Sequence, residues 1–149
     1  MQVSEAMSTQ VRIASPDQSI REAARIMAEI DAGVLPVGEN DRLVGMITDR
    51  DIAVRAVARG LGPDTPVREV MSAEVRYCFD DEDIEDAAQT MADIKVRRLP
   101  VLNRSKRLVG IVSLGDIAMV DGPDAAGDAL CDISEPGGEH SQTGDGALR

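Results

Sequence analysis

The sequence predicts an α+β chain made of two copies of one strand–helix–strand–strand–helix unit. Three observations carry that prediction. First, the chain repeats itself. Ile20 aligns with Ile84, and at the same 64-residue offset Val3, Met7 and Ser8 meet Val67, Met71 and Ser72. Val11-Arg12 likewise meets Val75-Arg76, and Leu35-Pro36-Val37 meets Leu99-Pro100-Val101. One extra residue enters the second copy between Arg104 and Lys106, after which LVGMITDRDIA, from Leu43, aligns with LVGIVSLGDIA, from Leu108. About half of the aligned positions are identical, the mark of a duplicated supersecondary unit. Second, each copy contains a segment with apolar residues at helical spacing. Third, each contains two short apolar runs joined by a polar turn.

The elements follow in order. A short helical turn opens each copy, at residues 3–7 and 66–71; Thr65 can cap the second, and Pro66 suits its first helical position. A short strand comes next, at 11–14 and 75–79. The spacing then predicts a helix over 19–30, with Ile20, Ala23, Ala24, Met27 and Ile30 forming one buried stripe. Ser19 with Glu22 makes a capping box at its start. The helix over 83–94 repeats the stripe at Ile84, Ala87, Ala88, Met91 and Ile94, and the small alanines suggest close approach to a sheet. A strand at 34–37, a turn holding Gly38, Asn40 and Asp41, and a strand at 43–47 read as a hairpin. Its counterpart uses 99–102 and 108–112. Pro36 and Pro100 each remove a ladder donor, so that strand is expected at an edge or irregular there. A final helix over 49–59 is broken by Gly60, Gly62 and Pro63. In the second copy Asp121-Gly122-Pro123 stops the last helix soon after Met119.

These boundaries give a first repeat at 1–59, a linker at 60–66, a second repeat at 67–120 and an acidic, Gly-rich tail at 121–149. Ala129, Leu130, Cys131 and Ile133 can make a brief dock. The rest of the tail is expected to be disordered, because it has too little apolar surface to offset its ordering entropy.

Composition excludes several functions. The formal charge is −11, which argues against nucleic acid as a partner. The tail supplies six of those charges, leaving the body only mildly acidic and free to hold local basic clusters. Tyr77 and Phe79 are the only aromatics, too few for a base-stacking platform. Cys78 and Cys131 are not in metal spacing and His140 stands alone, so no metal site is expected. Both thiols are expected to be reduced. With no long apolar run and no basic leader, a cytoplasmic protein without a membrane contact is expected. No nucleophile–base–orienter set and no Gly-rich phosphate loop of Walker or Rossmann type appears, which argues against an enzyme.

Four residues at two junctions stand out: Thr48 with Asp51, and Ser113 with Asp116. Each pair fits a helix N-cap with an acid at the third helical position. Each also fits a polyol site, in which a carboxylate accepts from a ribose diol while a hydroxyl and helix N–H groups face a phosphate. The spacing alone does not choose. Gly45 and Gly110 fit either close packing over the strand or room for a flat ligand. Arg97 and Arg98, with Lys95, precede the second Leu-Pro-Val and suit either a solvated turn or a phosphate clamp. The first copy has Asp31, Ala32, Gly33 and Val34 there, so the two corners are not equivalent towards anions. Arg50 is the nearest base in the first copy, and Asp49 beside it opposes a phosphate.

Taken together, these tandem units resemble a pair of CBS domains, the Bateman module, over residues 3–119. Each has a helix, a Leu-Pro-Val strand, a hairpin, and a Gly, two apolar residues, Thr or Ser and, three residues further on, Asp leading into a helix. The chain looks like a stand-alone bacterial CBS-pair protein. The resemblance implies β-α-β-β-α units packed about a pseudo-two-fold axis, with two clefts between them. It implies an adenosine ligand there: AMP, ADP, ATP, S-adenosylmethionine or NAD. Asp51 and Asp116 would hold the ribose, with Thr48 and Ser113 beside it or near the phosphate. Val11, Ile13, Val34, Tyr77, Val96 and Arg98 would line the adenine more loosely, and Arg50 and Arg97 belong to the same looser set. It implies a homodimer and a regulatory, signal-transducing role with a protein partner that the residues do not name. A ligand-independent dimerisation or docking module remains the alternative.

Overall fold

In a computed structural model of the chain, residues 1–121 and 123–133 are described. Helices and short strands form two compact units, an α+β architecture with each repeat recognisable. The units are not contiguous halves. One joins Gln10–Arg76 to a short stretch, Ser105–Leu108. The other joins Met1–Thr9, Tyr77–Arg104 and the chain from Val109 onward. The opening turns have been exchanged, so each docks on the body of the other repeat.

In the first-repeat unit, α2 (Ile20–Ile30) starts at Ser19, whose hydroxyl accepts from the Glu22 N–H at 3.2 Å. It buries Ile20, Ala23, Ile26 and Met27. The expected stripe was broader; Ala24 and Ile30 are exposed, and Ile26 takes the buried place on the same face. Asp31 ends the helix in the left-handed region. Strands β1 (Val34–Glu39) and β2 (Arg42–Thr48) pair antiparallel. Their turn places Asn40 and Asp41 at φ 53° and 62°, the two positive angles that match a hairpin's right-handed twist. The strand expected at 11–14 shrinks to a single parallel bridge from Ala14 to Val37. Proline at position 36 offers no N–H, and its carbonyl accepts from Ala14 N–H at 3.0 Å.

The expected final helix is present with mixed pitch. It runs from α3 (Asp49–Asp51) through a π-turn, Ile52–Ala56, into a 3-10 turn, Val57–Arg59, and ends at Gly60 with φ 78°. The Val57 N–H donates to the carbonyls of both Ala53 and Ile52, which sets the wider turn. A 3-10 turn, Val67–Glu69, follows. The Thr65 hydroxyl donates to the Gly62 carbonyl instead of capping this turn, and Pro66 is its N-cap residue. Val67 and Val70 are fully buried among Ala14, Ile20, Leu35 and Ile47.

In the second-repeat unit, α1 (Val3–Ala6) places Val3 in a core with Ile84, Met91, Leu99, Val112 and Ile117. The expected strand 75–79 is reduced to β3 (Cys78–Phe79), which pairs parallel with β4 (Arg98–Leu102). The sheet order is β3-β4-β5, with β5 spanning Leu108–Ser113. Helix α4 (Ile84–Ile94) is capped by Asp83 and ends at Lys95 in the left-handed region. Helix α5 (Leu114–Asp121) leads to α6 (Pro123–Ile133), which starts on a proline suited to a first helical turn. This helix takes the place of the disorder expected over 123–128 and contains the expected dock at 129–133. Ala129 is buried beside α4, and Lys95 Nζ donates to the Asp132 carbonyl. The expected disorder of 134–149 lies outside the described residues.

Gly45 and Gly110 now have a definite role. A Cβ on Gly110 would lie 2.6 Å from Met7 Sδ and 2.8 Å from the Ser8 carbonyl oxygen. A Cβ on Gly45 would meet Met71 Sδ at 2.7 Å and the Ser72 oxygen at 2.8 Å. The exchanged segments bridge the strands at these places, Ser8 to Ile111 and Met46 to Ser72. The space above each glycine is filled by the docked backbone, so the flat-ligand reading of these two positions is set aside.

Candidate ligand-binding site

Both junctions form the same corner. Thr48 Oγ1 accepts from the Asp51 N–H, and Asp51 Oδ2 accepts from the Thr48 N–H, each at 3.0 Å. Ser113 and Asp116 repeat this reciprocal pair at 3.0 Å and 3.0 Å. The capping reading is therefore realised in both repeats. Each cap uses one carboxylate oxygen. The other oxygen of Asp51 lies 3.8 Å from Arg55 Nη1, an i,i+4 pair on the following turn. All four residues are half-buried. A carboxylate held rigidly by one oxygen can present the other to a diol without a further ordering step.

The looser candidates divide by unit. Val34 is the cross-strand partner of Thr48, so it borders the first corner. Val11 is half-buried, while Ile13 is exposed and lies against Gly38. Arg50 is exposed on α3. In the other unit the Leu114 N–H donates to the Arg97 carbonyl at 3.0 Å, which ties Arg97 to the start of α5 beside Ser113. Arg98 opens β4, and both arginines are exposed. Val96 packs against the core of its unit. Tyr77 meets Phe79 edge-on with ring centroids 5.5 Å apart. Arg104 lies 4.1 Å over the Phe79 ring and clasps Asp81, whose carboxyl these hydrogen bonds hold below the usual carboxylate range. Arg55 was missed from the sequence, although its i,i+4 spacing from Asp51 marked it.

A groove of about 300 Å³ runs between α4 and α6, lined by Glu85, Gln89, Asp128 and Asp132 with three alanines. It contains none of the candidate residues. No set of three or more metal-ligating side chains is gathered among the described residues. Among them too, no helix is long and apolar enough to cross a membrane.

Cys78 is buried and Cys131 exposed, both as free thiols. Burial, reinforced by the charge of Glu82, pushes the Cys78 thiol up to about 12 from 9.0. A thiol reagent at neutral pH should therefore label Cys131 quickly and Cys78 only on unfolding. Two equally fast cysteines would contradict this. The raised value also gives a sign: the neutral thiol's contribution to stability is complete below pH 9 and lost as pH rises towards 12.

Two stretches of the sequence, 3–57 and 67–121, match the CBS domain family, one for each corner. The chain belongs to the CBS domain family. The CBS domain-containing protein YhcV of Bacillus subtilis is 47% identical over 133 residues, covering 89% of this chain and 94% of that one. Hypoxic response protein 1 of Mycobacterium tuberculosis is 39% identical over 114 residues, covering 75% and 79%. The crystal structure of that protein's namesake, Hypoxic Response Protein I with two coordinated zinc ions, superposes with a TM-score of 0.73 at 36% identity, covering 80% of this chain and 98% of its own. The CBS domain pair of protein MJ0100, solved in complex with 5′-methylthioadenosine and S-adenosyl-L-methionine, gives 0.71 at 30% identity, covering 83% and 98%. This chain is thus a CBS pair, with one Thr/Ser–Asp corner per domain.

Proposed function

We propose that this CBS pair is a regulatory module that binds an adenosine-containing ligand and signals through the packing of a homodimer. The candidate ligands are AMP, ADP, ATP, S-adenosylmethionine and NAD. The observation that carries the reading is the doubled corner, in which a capped carboxylate keeps one oxygen off the cap in both domains. The ligand-bound MJ0100 pair, at 30% identity, supports the same class of ligand. Binding, with no catalytic step, accounts for the residues present: each corner has a fixed acceptor and a hydroxyl, but no activated nucleophile.

A second reading, ligand-independent dimerisation and partner docking, is favoured by exposed apolar side chains on the helices that leave each corner. These are Val54 and Val57 in the first domain and Met119 and Val120 in the second. Thermal melting of the full chain with each of the five ligands separates the readings. At a hundredfold excess over Kd, a ligand that binds only the folded state adds about 2.7 kcal/mol. A rise in melting temperature with at least one ligand, and a mass of two chains, is the expected outcome. A flat response to all five with a dimeric mass would establish the docking reading instead.

A further inference from the structure

We infer that the two corners take ligands of different charge: the second-domain corner a 5′-phosphorylated adenosine nucleotide, the first-domain corner an adenosine derivative with no 5′ phosphate. This rests on the ligand reading proposed above and names the ligand class of each corner. The backbones are alike. The Asp49 N–H donates to the Gly33 carbonyl at 2.9 Å, as the Leu114 N–H does to that of Arg97 at 3.0 Å. Gly33 therefore stands where the second domain has Arg97, and Asp49 stands where it has Leu114.

The side chains at those places are opposite in character. Over Gly33 the space is taken by the Asp49 carboxylate: a Cβ there would lie 2.8 Å from Asp49 Oδ2. Asp49 Oδ1 also accepts from the Arg50 N–H at 2.8 Å. A carboxylate thus already occupies the donor that an incoming phosphate would use. Arg50 and Arg55 balance Asp49 and Asp51 in number, and Arg55 is drawn towards Asp51. The first corner is therefore close to neutral, with an acid at its front. In the second corner Leu114 has no acceptor to offer the Gly115 N–H. Arg97 and Arg98 there are exposed and stand against one acid of the corner, Asp116, and among the described residues neither arginine side chain is in an ion pair. That corner sets two arginines against one acid and leaves the Gly115 N–H clear of a neighbouring carboxylate, which favours a phosphate. A neutral or cationic 5′ group suits the first corner, where a phosphate would meet Asp49.

Calorimetric titration of the full chain with AMP and with 5′-methylthioadenosine, which has no phosphate, tests this. Arg97→Ala should weaken AMP by about fivefold and leave 5′-methylthioadenosine unchanged. Gly33→Arg with Asp49→Leu, which gives the first corner the residues of the second and removes the Asp49 acceptor, should strengthen AMP at the first corner by a similar factor. In Asp116→Asn protein, AMP binding should fall while 5′-methylthioadenosine binding persists; Asp51→Asn should do the reverse. Asparagine keeps a cap acceptor at both positions, and Arg97 is exposed, so folding is preserved. AMP affinity indifferent to Arg97→Ala, or AMP lost equally in Asp51→Asn and Asp116→Asn, overturns the charge assignment alone. Absence of any binding by both probes to the unaltered chain overturns it together with the ligand reading.

Discussion

Gly110→Val is expected to destabilise the second-domain unit by about 3 kcal/mol, and Gly45→Val to do the same to the first. The first methyl carbon alone would press on the Ser8 oxygen at 2.8 Å, or the Ser72 oxygen in the other unit. Methionine sulfur can move aside, but a bridged backbone carbonyl cannot without losing its pairing. With Gly110→Val the segment carrying α1 lifts off, and Val3, now fully buried, loses its place beside Ile84 and Ile117. Urea unfolding should show the lower midpoint, and hydrogen exchange should show early loss of protection at Ser8 and Ile111, which exchange backbone hydrogen bonds. An unaltered midpoint with protected Ser8 would mean that the segment is not anchored there.

The second large effect is expected from Asp51→Ala and Asp116→Ala. Each removes a cap contribution of about 1 kcal/mol. Each should also remove a charge-assisted acceptor from the ligand, lowering affinity at that corner tenfold or more, about 1.5–3 kcal/mol. Asp51→Asn and Asp116→Asn serve as controls, since an amide oxygen keeps the cap while the charge is removed. If the asparagine variants bind as tightly as the unaltered chain, the acids act only as caps.

Much of this architecture was legible because it is written locally. Ser19 as an N-cap, the Asn40-Asp41 turn, and the hydroxyl–acid pairs at 48/51 and 113/116 each declare themselves within four residues, although the Glu22 carboxylate accepts from Gln18 instead of completing the expected capping box. The pairing of Val3 with the second core was not legible. Val3 and Val67 occupy equivalent positions in the repeat, and self-alignment gives no sign of which core each one enters. The strands at 11–14 and 75–79 were overestimated because apolar spacing marks half-buried chain, while ladder pairing depends on a neighbour that is distant in sequence. The π-turn at Ile52–Ala56 has no local signature either. In the corners, charge was readable from Asp49, Arg97 and Arg98, but the placement of the Asp49 carboxylate over Gly33 needed coordinates.

The exchanged segments also fix an order of assembly. As the chain leaves the ribosome, the first-domain core has its last buried side chain once Val70 has emerged. Residues 1–9 are made early, yet Ile111, the bridge partner of Ser8, arrives about a hundred residues later. This stretch is therefore seated only after the whole first-domain core, and Val3 and Met7 travel as exposed apolar cargo until the second-domain strands have been made.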